Sequence, residues 1–381
     1  MAVLLATLLA LATIPGLALF YGGVVGARVR IAAWSAAGLV VAGVVWFTYG
    51  YGLVYNVPLL GGLVGNPLAR GGPSVGVDFS TSSAFGVASA FVAVSVVAAA
   101  VAGRMRMRGW LIFAVLWISV VFLPVSYWIL NESDGWAAGM LVADLGGGAY
   151  VHIVAGAAAL ALLLVLGRQR PGIQHPGIRP FRPGPPLVGA LLLWVGWLGL
   201  NVAAEGVIDD ITGRIVLNTL VAPVAGIVGW LLAEALSTGR VSRFAPAEGL
   251  VAGLVAIAPA CGSFAPGWAI ALGLLSGAVC AFTGLASRRR GHAGRFAVPD
   301  IHLVAATVGM LAIGVFGEAV GFIYNGNPAQ SIAQVSVIVV VAGYSFAVTS
   351  LLGWVLFGRR FRLESDADEL SHREKRLTEA P

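Results

Sequence analysis

Runs of apolar residues long enough to cross a bilayer dominate this chain, and they leave few folds open to it. A membrane-spanning helix needs about 20 such residues. Eleven segments of the 381-residue sequence meet or approach that length: 2–21, 31–55, 81–103, 109–130, 137–167, 187–204, 212–238, 247–260, 267–286, 301–320 and 332–358. The eighth is short and the fifth long. Hydrophobic residues make up 59% of the chain and charged ones 10%, with a mean hydropathy of +0.91. A water-soluble domain is not built from that mixture. The expectation is an all-α polytopic membrane protein of eleven transmembrane helices. The first run starts at Met1 without a basic stretch and passes through Pro15 without a convincing cleavage site, so it reads as a retained span.

The basic residues orient the chain. With the N-terminus outside and the C-terminus in the cytoplasm, 21 of the 23 Lys and Arg residues fall on inner loops, leaving only Arg70 and Arg214 outside. The net charge of +6 is thus a topology signal spread over every inner loop. It forms no single basic patch, which argues against nucleic-acid binding. Cys261 and Cys280 suggest buried thiols and no disulfide framework.

A Pro- and Arg-rich stretch, 168-RQRPGIQHPGIRPFRPGPP-186, divides the spans. The expected organisation is a first five-helix repeat over 1–167, a cytoplasmic linker over 168–186 and a second five-helix repeat over 187–320. An eleventh helix over 332–358 and a polar cytoplasmic tail over 359–381 complete it. Five spans per half is an odd number, so repeated halves must enter the membrane from opposite sides. That is inverted-repeat transporter architecture, with the site expected near the midplane.

Of five histidines, His175, His292 and His372 lie in polar loops or the tail and read as solvated. His152 and His302 lie on the last span of each half, where a pseudo-twofold axis would bring them face to face. Two unrelated buried histidines are the alternative. An ionisable side chain inside a bilayer is a functional candidate by default. Asp144 precedes Leu-Gly-Gly-Gly and a helical run, which suits a cap at a helix start. Eight helical residues rise about 12 Å, too far for Asp144 to touch His152. A buried carboxylate there also lowers the cost of an arriving cation. Asp300, two residues before His302, reads as a second cap. No HExxH, Gly-x-Ser-x-Gly, Walker loop or zinc-spaced cysteine pair is present, so no enzyme activity, metal or cofactor is expected. Two histidines without further ligands make a poor metal site.

These motifs jointly resemble the ammonium transporter/Rh family. The first span carries 15-PGLALFYGGVV-25 and the fifth 144-DLGGGAYVH-152, followed by 196-GWLGLN-201, 212-TGRIVLNTLVA-222, 247-AEGLVAGLVAIAPACG-262 and 331-SIAQVSVIVVVAGYSF-346. The tail piece 369-ELSHRE-374 is also similar. The resemblance implies eleven spans, an inverted repeat, a homotrimer in the plasma membrane and one pore per subunit. It implies ammonium or ammonia as substrate, His152 and His302 as twin pore histidines, and a possible PII-type regulatory protein on the cytoplasmic face. A sensor keeping the transporter fold, or a conduit for another small neutral or amine solute, are the alternatives.

The departures lie at the outer end. The family's paired gate phenylalanines fall near Ser89 and at Leu200, neither aromatic. Its outer cation site falls near Leu130 and at Ala204, which offer neither a π face nor a hydroxyl, so Trp136 or Trp128 is the expected substitute. Phe85 or Phe91 could close the gap left by small Ser89. Trp197, beside Leu200, is a candidate pore wall, with ordinary core packing as the alternative.

Overall fold

The computed structural model describes residues 2–24, 28–69, 79–102, 104–167, 184–291 and 294–357. Ten described helices are long and apolar enough to cross a membrane: α1 (Val3–Gly23), α2 (Arg30–Tyr55), α3 (Phe79–Val101), α4 (Met107–Leu130), α5 (Gly148–Leu166), α6 (Gly184–Ala204), α7 (Thr212–Thr238), α9 (Pro266–Arg289), α10 (Ala297–Phe316) and α11 (Ala329–Phe357). Between α7 and α9 lies the shorter apolar helix α8, Ala245–Ile257. It stands where the short eighth run was expected.

Several expected boundaries shift. The long fifth run does not form one helix. A short helix at Trp136–Gly139 and a turn precede α5, and residues 140–147 are non-helical. Glycines at 146, 147 and 148 break the apolar run before any helix can propagate through it. The linker expected to end at 186 yields to helix at Gly184, because Pro185 and Pro186 fall in the first turn, where a missing N–H costs little. The rest of that linker, the tail from 358, Arg70, His175, His292 and His372 lie outside the described residues.

The first helices of the two halves, α1 and α6, pack closely, and so do the last, α5 and α10. A pseudo-twofold relation predicts both pairings. Small residues permit the close approach. At Gly156 on α5, an added Cβ would sit 2.6 Å from the Leu303 amide nitrogen on α10. That crossing lies four residues after His152 and one after His302, so it sets the distance between the two rings. Cations hold the far end of α5: Arg104 Nη1 donates to the Gly167 carbonyl at 3.3 Å and Arg295 Nη2 to the Leu163 carbonyl at 2.6 Å. Both neutralise carbonyls that have no partner within the helix.

Candidate functional site: a buried histidine pair

Asp144 organises the start of α5. One carboxylate oxygen accepts a short hydrogen bond from the Gly148 N–H; the other accepts from Ala149 N–H at 2.8 Å and Tyr150 N–H at 3.3 Å. The carboxylate thus meets amides with no carbonyl of their own at a helix start. Gly147 adopts φ +90°, and a Cβ there would lie 2.5 Å from Val151 Cγ2. Only glycine fits that turn. The turn feeds a π-type segment, Gly148–Ile153, in which the His152 N–H bonds the Gly147 carbonyl at 3.0 Å. Such wide turns re-aim side chains, often at functional sites.

The re-aimed ring is His152. Its Nδ1 lies 3.3 Å from Nδ1 of His302, and both residues are 0% exposed. The two rings therefore meet as the placement on matched spans predicts. Trp197 stacks on His152, with centroids 5.0 Å apart and planes at 18°. Trp197 is fully buried, as core packing requires. Sequence reasoning missed Tyr21. It lies in the quoted 15-PGLALFYGGVV-25 motif, yet only the fold reveals its ring 5.8 Å from that of His302.

A bond between two Nδ1 atoms constrains the tautomers. One neutral ring must donate from Nδ1 and so has a bare Nε2. The other must accept at Nδ1 and so carries a proton on Nε2. Both Nε2 atoms are buried and meet no partner among the described residues. The pair therefore offers one acceptor and one donor to a small solute that can do both.

The outer positions are placed as follows. Ser89 and Leu200 are buried at 1% and 0%, and neither is aromatic. Ser89 lies beside Tyr150, and Phe85 meets Tyr150 edge-on at 6.4 Å. Phe85, Phe91 and Tyr150 are all buried. Among the described aromatic pairs, the rings recorded against the histidines are Trp197 and Tyr21, not two stacked phenyl groups. Trp136 joins Trp128 at 5.9 Å, and Trp128 meets Tyr344 at 4.9 Å. Leu130 and Ala204 are partly buried against the core. Next to Ala204, Glu205 accepts a 2.6 Å hydrogen bond from the Thr212 hydroxyl. Burial holds its carboxyl above the usual carboxylate range; the Asp209 carboxylate adds to that, and the Thr212 hydroxyl opposes it.

Asp300 is not the cap it was expected to be. No side chain caps α10; Asp300 sits in its first turn and interacts with Ser287 and Arg288 of α9. Packing of α9 against α10 supplies these partners and draws the carboxylate away from its own helix start.

The profile of the Ammonium Transporter Family matches residues 1–375. An ammonium transporter of Mycobacterium tuberculosis is 33% identical over 97% of this chain and 88% of its own length. One from Bacillus subtilis is 34% identical over 79% of this chain and 76% of its own. Among solved structures, Candida albicans Mep2 superposes with a TM-score of 0.82 at 25% identity, covering 96% of this chain and 86% of that one. A structure described as a sensor Amt protein shares the fold, with a TM-score of 0.82 at 20% identity, covering 95% and 94%. A match along nearly the whole sequence makes this membrane-embedded chain a member of the Ammonium Transporter Family.

Proposed function

We propose that the protein moves ammonium or ammonia across the plasma membrane through a pore lined by His152 and His302. The observation that carries this reading is the buried Nδ1–Nδ1 pair with both Nε2 atoms free of partners among the described residues. An intact cation at the bilayer centre costs from about 3 to more than 10 kcal/mol. Neutral ammonia avoids most of that cost if the proton is handled separately. Ammonia accepts a hydrogen bond through its lone pair and donates through its N–H bonds. It therefore matches the one donor and one acceptor the pair presents. Asp144 holds the π-type turn in place and favours a cation near the outer end, where the proton is shed. Trp197 keeps the His152 ring in plane, and Tyr21 flanks His302.

The reading extends to a homotrimer of inverted five-plus-five repeats, with the N-terminus outside. Family membership supports the trimer; the inner placement of basic residues supports the orientation. Those same inner loops suit a PII-type regulator on the cytoplasmic face. Uptake of labelled methylammonium into liposomes holding the purified protein tests the proposal. Saturable uptake above empty vesicles is expected, and none would refute transport.

A further inference from the structure

A second cluster of buried ionisable groups lies at the arginine-rich end of the bundle. Glu234 on α7 is 2% exposed and binds Arg288 of α9 at 2.6 Å. Its other oxygen accepts the Ser242 N–H at 2.7 Å. That pair is satisfied. Glu248 is not. It sits in the first turn of α8, is 8% exposed, and its Oε2 meets no partner among the described residues. Charged groups reach it from each neighbour that carries one: Glu234 from α7, Arg288 from α9 and Asp300 from α10. Helix α6, also packed on α8, has none, and α5, the other neighbour, carries the titratable His152.

The charges do not balance. Among the described residues, Arg288 is the one cation acting on Glu248, and it is shared with Glu234 and Asp300. Arg288 spends its short contact on Glu234. A buried carboxylate excess must be met by protons or by a small cation. The cluster is also connected to the pore. Tyr21 is 0% exposed, its hydroxyl has no partner among the described residues, and Glu248 is the first of the charged groups acting on it. Its ring lies against His302. His302 is five residues into α10, about 8 Å of helix rise from its arginine-rich end. Gly309 of α10 packs on the Ala256 carbonyl of α8, and both helices start at the arginine-rich end, so eight residues back along each Glu248 lies level with Ile301, next to His302 in depth.

We infer that Glu248, on the helix packed beside His302, is the inner carboxyl that gives ammonia its proton as it leaves the histidine pair. The step balances. The O–H bond of the protonated Glu248 carboxyl breaks, and its electrons stay on oxygen. The nitrogen lone pair of ammonia forms the new N–H bond. An ammonium–carboxylate pair results, and Asp300 adds negative charge beside it. Ammonium departs to the cytoplasm, and hydronium from that side restores the carboxyl. Glu234 and Arg288 fix the frame and do not take part. The inference rests on the transport reading above and adds the identity of its inner proton donor.

Two measurements test it. In liposomes with the cytoplasmic face turned inward, methylammonium uptake is followed as internal pH is varied. Wild type is expected to depend on internal pH. E248Q should lose at least fivefold of the flux and all of that dependence, while E248D should keep the dependence with a shifted midpoint. Wild-type flux and pH dependence in E248Q would overturn the inference, as would an unmoved midpoint in E248D. Infrared difference spectra of wild type with and without ammonium give the second readout, which needs no variant to tolerate the lost carboxyl. A protonated-carboxyl band should be lost on addition, at a frequency that shifts in E248D; no carboxyl change would overturn the inference. Absence of flux in wild type would instead sink the transport reading itself.

Discussion

Replacing Gly156 with alanine should damage transport without touching a single polar group. The added Cβ would lie 2.6 Å from the Leu303 amide nitrogen and 2.8 Å from Leu303 Cβ. Both atoms sit on the backbone or beside it, so neither can swing aside. Restoring a tolerable contact of about 3.4 Å requires α5 and α10 to part by about 0.8 Å near the crossing. The histidine nitrogens start at 3.3 Å, so a shift of that size takes them beyond hydrogen-bond reach. Overpacking of this kind costs about 1–3 kcal/mol. The assay is thermal unfolding of purified G156A beside wild type, with methylammonium uptake on the same preparations. A lower melting temperature and severely reduced flux are expected. Wild-type values for both would refute the argument that this crossing sets the ring spacing.

Asp144→Asn retains one acceptor for the helix-start amides, so it should lose about 1 kcal/mol or less, whereas Asp144→Ala should lose about 1–3 kcal/mol; chemical unfolding of both variants checks this, and equal losses contradict the capping role. The Asp144→Asn variant should nonetheless transport poorly, because the negative charge is gone; full flux would remove the electrostatic part. Trp197→Leu removes the ring stacked on His152 and should reduce flux while the fold survives with a loss of about 2–4 kcal/mol, measured by uptake and unfolding together. With Ser89 and Leu200 in place of paired aromatics, and Leu130 and Ala204 at the outer site, ammonium saturation should be weak and larger amines poorly excluded; competition uptake with a series of alkylamines tests it, and tight, strongly selective uptake would contradict it.

Much of this fold is legible in the sequence because a bilayer permits so few solutions. Each run of sufficient length yielded a spanning helix, the fifth only over Gly148–Leu166, and even the short eighth run stands as the short α8. His152 and His302 can be paired from sequence because their places on matched spans are a property of chain order. Asp144 is readable as a cap because capping is local. What escapes depends on neighbours distant in sequence. The partners of Asp300 come from α9, and the imidazole beside the Tyr21 ring comes from α10. The contact of Phe85 with Tyr150 requires knowing how α3 meets α5. Residues 137–147 look like membrane span because their apolarity is real; the glycines at their end decide otherwise.

The central claim is that solute passes the histidine pair. Stopped-flow or tracer uptake of methylammonium by His152→Ala and His302→Ala, each reconstituted at the wild-type protein density and checked for intact assembly, tests it most directly. Each variant should lose transport or change its ion dependence, since removing either ring abolishes the 3.3 Å Nδ1–Nδ1 bond that fixes one donor and one acceptor. Wild-type flux with unaltered ion dependence in both would contradict the account.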